Sequence, residues 1–118
     1  MSKHNWSEKE DKICCKFYYN YFVKKNSCLK VDEFVTILKK KLVAIEENSI
    51  KMKLQNIKYF LQRSNVKDYL DIAPLPHNSA QTEKIMTTIL QKGNYKAKYA
   101  TIVLALIILI SYFIFIRK

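Results

Sequence analysis

Residues 99–116, YATIVLALIILISYFIFI, run for eighteen positions without a charge, and only Thr101 and Ser111 interrupt them as small polar side chains. No other feature of the chain constrains its folding as strongly. A helix made of this stretch is apolar on every face, and a body of under about a hundred residues has too little interior to bury one. At about 1.5 Å of rise per residue the stretch covers roughly 27 Å, against a hydrocarbon core of about 30 Å. The expectation is a transmembrane helix over 99–116. Lys92, Lys96 and Lys98 flank one end, Arg117 and Lys118 close the other, and Tyr99 and Tyr112 lie near the interfaces. The opening MSKHNWSEKE contains no apolar stretch of the kind a signal peptide needs. The basic body is therefore expected to stay in the cytoplasm, which makes this a single-pass, tail-anchored protein of the cytoplasmic membrane.

The remainder is small and strongly basic. With 118 residues there is room for one small domain, and 21 basic against 10 acidic side chains give a formal charge of +11. One glycine and two prolines exclude collagen-like and flexible-linker proteins, and a single glycine excludes a glycine-rich phosphate loop. Cys14, Cys15 and Cys28 are odd in number and lack zinc-site spacing, so they read as reduced thiols; Cys14 is expected in the core. His4 and His77, the two histidines, fall in no metal-ligand pattern. No catalytic residue, cofactor or metal is expected, and the chain does not read as an enzyme.

The periodicity predicts an all-α architecture with three domains or segments: 1–65, 66–98 and 99–116. Ser7 and Glu10 form a capping box that starts a first helix, and Ile13, Phe17 and Tyr21 beside Cys14, Tyr18 and Phe22 carry its apolar stripe to about Val23. Lys24 to Lys30 make a polar break. Val31, Phe34, Val35, Leu38 and Leu42 form a second stripe, with Lys39, Lys40 and Lys41 complementing the helix dipole at its end. Glu46, Glu47, Asn48 and Ser49 supply charge and a cap before a third helix. In that helix Ile50, Leu54, Ile57 and Leu61 share one face, while Lys51, Gln55, Lys58 and Gln62 share the opposite one. Pro74 and Pro76 mark residues 68–78 as an ordered strap or an extended linker. Asn78 or Ser79 caps a fourth helix over about 80–91, and Gly93 ends or bends it before the apolar stretch.

Three helices with a polar, basic face on the third are the ingredients of a helix-turn-helix reader, whose last helix enters the major groove. WSEKED, residues 6–11, resembles the WTxEED opening of the Myb/SANT-like trihelical domain. NSIKMKLQNIKYFL, residues 48–61, is similar to the R-S-x-x-A-[VI]-x-M-K-L-x-N stretch ahead of the nuclease domain in some bacterial HNH restriction-type endonucleases, where it belongs to a small DNA-reading module. The resemblance covers about half of the chain. It implies that Lys51, Lys53, Gln55, Asn56 and Lys58 lie on or beside a DNA-reading helix and that Trp6 packs under the first helix. Phe34 and Tyr59 or Phe60 stand where the later Myb tryptophans are absent, and Asn48 replaces the expected arginine. The nuclease domain has no counterpart here.

Two functions follow as expectations. The first is a membrane-anchored, non-catalytic module that binds double-stranded DNA, linked by the resemblance to defence or mobile-element functions. The second is a small membrane effector or interaction protein whose basic domain binds anionic membrane lipid or a protein partner; near a charged bilayer each cation contributes about 1 kcal/mol. No GxxxG pattern supports self-association through the apolar stretch.

Overall fold

The computed structural model describes residues 5–76 and 79–116, and the side chains of all of these except 94–100. His4, His77, Asn78, Arg117 and Lys118 therefore lie outside the described residues, as do the side chains of Lys96, Lys98 and Tyr99. The described chain is all-helical: α1 is Glu8–Tyr18, α2 Val31–Lys41, α3 Glu47–Arg63 and α4 Ala80–Ile116. It falls into two compact units, Met1–Thr87 and Thr88–Lys118. The first unit thus reaches well beyond residue 65 and takes in both the strap and the opening turns of α4.

Local chemistry explains where the helices begin. The Glu10 backbone N–H donates to Ser7 Oγ at 3.1 Å, and the Ser7 N–H donates to the Glu10 carboxylate at 2.9 Å, so the capping box is complete. At α2 the Glu33 carboxylate accepts from the Lys30 N–H at 3.1 Å. At α4 the Thr82 N–H donates to Ser79 Oγ at 3.1 Å. The start of α3 differs from the sequence expectation: Glu46 is the cap residue and makes no side-chain capping bond, and Asn48 and Ser49 lie within the first turn. There the Glu47 carboxylate meets the helix dipole instead.

The ends are as specific. α1 does not stop at Tyr18 but continues as a π-helical segment, Tyr19–Lys24. The wider winding closes at Asn26, which adopts φ 52°, while the Ser27 N–H reaches back to the Tyr21 carbonyl at 2.8 Å. α3 ends in a Schellman motif. Asn65 takes φ 58°, its N–H donates to the Gln62 carbonyl at 3.1 Å, and the Val66 N–H donates to the Leu61 carbonyl at 2.8 Å. At the end of α2 the Lys39 ammonium donates to the carbonyls of Val43 and Ile45, both past the helix end.

Helices α1, α2 and α3 pack against one another. The buried residues follow the stripes read from the sequence: Cys14, Cys15, Tyr18 and Phe22 from α1 and its π-helical extension, Phe34, Val35 and Leu38 from α2, and Ile50, Leu54, Ile57 and Leu61 from α3. At the centre Phe22 and Phe34 meet edge-to-face with centroids 4.7 Å apart, and Tyr18 lies edge-on to both. Leu70 of the strap and Ile85 and Met86 of α4 complete this interior.

Two expectations about the C-terminal third are corrected. Gly93 does not end a helix: α4 runs unbroken for 37 residues, so the short helix over 80–91 and the apolar stretch are one element. Nor do the described residues supply the expected membrane span. Among the described residues no helix is long and apolar enough to cross a membrane. The transmembrane, single-pass and tail-anchored assignments, and the membrane localisation built on them, fall with it.

The Schellman motif generates a stability prediction. Asn65→Ala places a Cβ-bearing residue with no compensating side chain at positive φ and should cost about 1–2 kcal/mol in urea unfolding, whereas Asn65→Gly should leave stability equal or higher. Equal stability for the alanine and glycine variants contradicts the left-handed cap.

Candidate functional site

The five residues expected to read DNA all belong to α3, and its three lysines among them are paired with carboxylates inside the chain. Lys51 pairs with Asp32 of α2, Nζ to Oδ1 at 3.0 Å. This is an exposed bridge and contributes little to stability. Lys53 is different: it is 7% exposed, and its ammonium lies 3.6 Å from the Asp11 carboxylate, which is 0% exposed.

A carboxylate without water needs its remaining lone pairs filled, and side chains of α1 and α4 do this for Asp11. Its Oδ2 accepts from Thr82 Oγ1 at 2.8 Å and from Gln81 Nε2 at 3.0 Å, and its Oδ1 takes the Cys15 thiol at 3.6 Å. Lys53 Nζ donates to Thr82 Oγ1 at 2.8 Å. Because the Thr82 hydroxyl proton goes to Asp11, the 2.9 Å contact with Ser79 is one in which Ser79 Oγ donates. Trp6 closes the site: its ring lies 4.8 Å from Lys53 Nζ, and its carbonyl accepts from Gln81 at 3.1 Å. The residues preceding α1 are thereby pinned to α3 and to the start of α4.

Lys58 is held by a second buried pair. Its ammonium lies 3.2 Å from Asp68 Oδ2 and donates to the Leu70 carbonyl at 2.7 Å. Tyr18 donates its hydroxyl to the same carboxylate at 2.5 Å. The strap is fixed along its length, because the Tyr69 N–H donates to the Phe22 carbonyl at 3.0 Å and the Leu75 N–H to the Gln55 carbonyl at 3.1 Å. Gln55 and Asn56 are half-buried on the same helix. The polar face of α3 therefore organises the body: it receives α1 through Asp11 and the strap through Asp68.

Burial also sets the state of the nucleophiles. Loss of water pushes the Cys14 and Cys15 thiols well above the ordinary thiol range, with Asp11 adding in the same direction while Lys53 opposes it. Burial likewise pushes the Tyr18 phenol up, and its bond to Asp68 reinforces the shift. These groups stay protonated and are weak nucleophiles. Cys28 is exposed. Among the described residues no group of three or more His, Cys, Asp or Glu side chains could hold a metal ion.

The exposed cations lie elsewhere. Lys9, Lys12 and Lys16 of α1 are exposed, and a shallow concavity beside them is lined also by Glu8, Ile13 and Phe17. Lys24 and Lys25 continue the basic character past the π-helical segment, and Lys40 and Lys41 are exposed at the end of α2. Sequence reasoning passed over the α1 lysines because it weighed α1 by its apolar stripe and sought the ligand face on the third helix. Their spacing of three and four residues was the available signal.

Comparison with protein-family profiles, with curated proteins and with solved structures finds no match.

Two predictions come from this geometry. Lys53→Met strands the Asp11 carboxylate without its cation and should destabilise the chain by about 3–5 kcal/mol, and adding Asp11→Asn should restore much of that loss. A single variant within 0.5 kcal/mol of the parent, by urea unfolding, disproves the buried pair. The thiols report on the same core. A thiol reagent near neutral pH should titrate Cys28 in the folded chain, and Cys14 and Cys15 as well only after denaturation. Folded-state values raised above the ordinary 9.0 for thiols and 10.0 for tyrosine leave the unfolded chain to ionise first. The contribution of these groups to stability should thus be constant below pH 9 and fall as pH rises through and beyond that range.

Proposed function

We propose that this chain is a non-catalytic binding module for nucleic acid, with duplex DNA as a ligand, and that it binds through exposed cations and not through groove reading by α3. The observation that carries the reading is the division of its basic residues. A charge of +11 provides the field, and Lys9, Lys16, Lys24, Lys25, Lys40 and Lys41 are exposed with no carboxylate partner among the described residues. Using Lys53 or Lys58 as DNA contacts means breaking a buried ion pair, which costs about 3–5 kcal/mol each time. A base contact contributes about 1–3 kcal/mol, so the exchange is a net loss. Phosphate contacts by solvated lysines carry no such penalty. The Myb/SANT-like and restriction-module likenesses support the same ligand class.

A second reading rests on α4. Ile102, Leu106, Leu109, Phe113 and other side chains of 101–116 are more than half exposed, a larger apolar surface than isolated soluble chains usually present. This favours an interaction protein whose C-terminal helix meets an apolar surface on a protein partner, with the basic body as a separate binding head.

Duplex binding by the full chain should weaken steeply with salt. About five phosphate contacts give a slope of log K against log salt of about −4 to −5. Lys58→Met should lower the unfolding midpoint yet leave DNA affinity within about two-fold, because it removes a structural cation. No retention of DNA at low salt sinks the reading, and a large affinity loss in a folded Lys58→Met variant returns the contact to α3.

A further inference from the structure

We propose that the outer face of α1 is a binding site for single-stranded nucleic acid, an inference that rests on the nucleic-acid reading above and assigns it a surface and a strand state. Lys9, Lys12 and Lys16 stand three and four residues apart on the exposed face, so their ammonium groups rise in a row along the helix. Asn20 continues the row into the π-helical segment and is also exposed. Glu8, the carboxylate that lines the concavity with them, is tied to Lys12 at 3.1 Å at the amino end, which leaves Lys9 and Lys16 to dominate the local field.

What distinguishes this face from an ordinary solvated lysine row is the apolar floor beside it. Ile13 and Phe17 line the same concavity as the three lysines. The Phe17 ring stacks on Tyr21, with centroids 6.2 Å apart and planes 17° from parallel. Tyr21 is in turn held against Phe34, at 5.4 Å. Phe17 is therefore a half-buried ring backed by a second ring and by the core, a fixed platform at low entropic cost. Cations alternating with a flat apolar surface match a ligand in which phosphates alternate with planar bases. In a duplex the bases face each other inside the stack, so Ile13 and Phe17 would gain nothing from it. A single strand offers both its charge and its ring faces, and base–aromatic stacking tolerates any sequence. An acidic peptide satisfies the lysines and leaves the floor unused. An anionic bilayer satisfies both in part but has no planar group for Phe17 to stack on.

The experiment uses the full chain with three probes: a fluorescent fifteen-nucleotide oligothymidylate, a duplex of the same length, and vesicles of phosphatidylcholine with phosphatidylserine. Lys9→Glu with Lys16→Glu reverses two exposed charges and should weaken oligothymidylate binding at least about ten-fold, while Lys40→Glu with Lys41→Glu makes the same change of net charge on α2 and should weaken it less than about three-fold. Phe17→Leu keeps the site apolar but removes the ring, and should abolish the preference for single strand over duplex. A circular-dichroism melt of each variant identifies any loss that comes from unfolding, and Ile13→Ser provides a second floor variant should Phe17→Leu melt early. Equal losses from the α1 and α2 charge reversals overturn the site while leaving nucleic-acid binding standing. A duplex preferred over the oligothymidylate, or vesicle binding that is the tighter and equally sensitive to the α1 variants, overturns the strand assignment. Absence of binding to either nucleic acid by the parent chain defeats the underlying functional reading.

Discussion

The Asp11 carboxylate has no contact with water, and the rest of the body is arranged around that fact. A buried carboxylate is tolerable only with a cation and a full set of donors, and here these come from positions 53, 81, 82 and 15. Satisfying one side chain thus fixes the azimuth of α1, the face that α3 turns inward and the point at which α4 begins. Hydrophobic burial supplies most of the driving force but is nondirectional, and a cluster of Phe22, Phe34 and Ile57 would tolerate helices rotated or slid past each other. The polar junction does not tolerate it. Asp11 and Lys53 therefore contribute less net stability than uniqueness of packing.

The second junction, at Asp68, makes the strap part of the body. The left-handed Asn65 stops α3 and two prolines near the end of 66–76 disfavour helix there, and extended chain exposes backbone groups that need partners. The Phe22 carbonyl, set by the π-helical winding of 19–24, takes one of them, and Gln55 takes another. Leu70 enters the core between these points, where burying its side chain is worth about 2 kcal/mol. The π-helical segment and the strap are thus coupled, since the looser winding presents a carbonyl that the strap uses.

These two junctions also redistribute the charge available for function. Lys53 and Lys58 look in the sequence like ligand contacts, and in the fold they are counter-ions. Exposed lysines remain on α1, past its end, and at the end of α2. A strongly basic composition, read residue by residue along one amphipathic helix, does not show which of its lysines a carboxylate from elsewhere in the chain will engage. The C-terminal helix teaches a related lesson about length. Its apolar character was plain from composition, but the continuity of α4 through Gly93 depends on backbone geometry, and one glycine costs a helix only about 1 kcal/mol.

By itself the sequence determined much of what depends on neighbours within a few positions. Ser7 and Glu10 start α1, Ser79 starts α4, and the three- and four-residue apolar spacings place α1, α2 and α3 nearly where they occur and name Tyr18, Phe34, Leu54 and Ile57 as interior. Only the tertiary structure decided which charges are internal. The pairing of positions 11 with 53 and 82, and of 58 with 68 and 18, spans tens of residues, and helical periodicity gives each residue a face but not the partner that face will meet. Lys51, Lys53 and Lys58 are the same residue type on one helix, and their different fates follow from where a carboxylate arrives from elsewhere in the chain and whether water follows it.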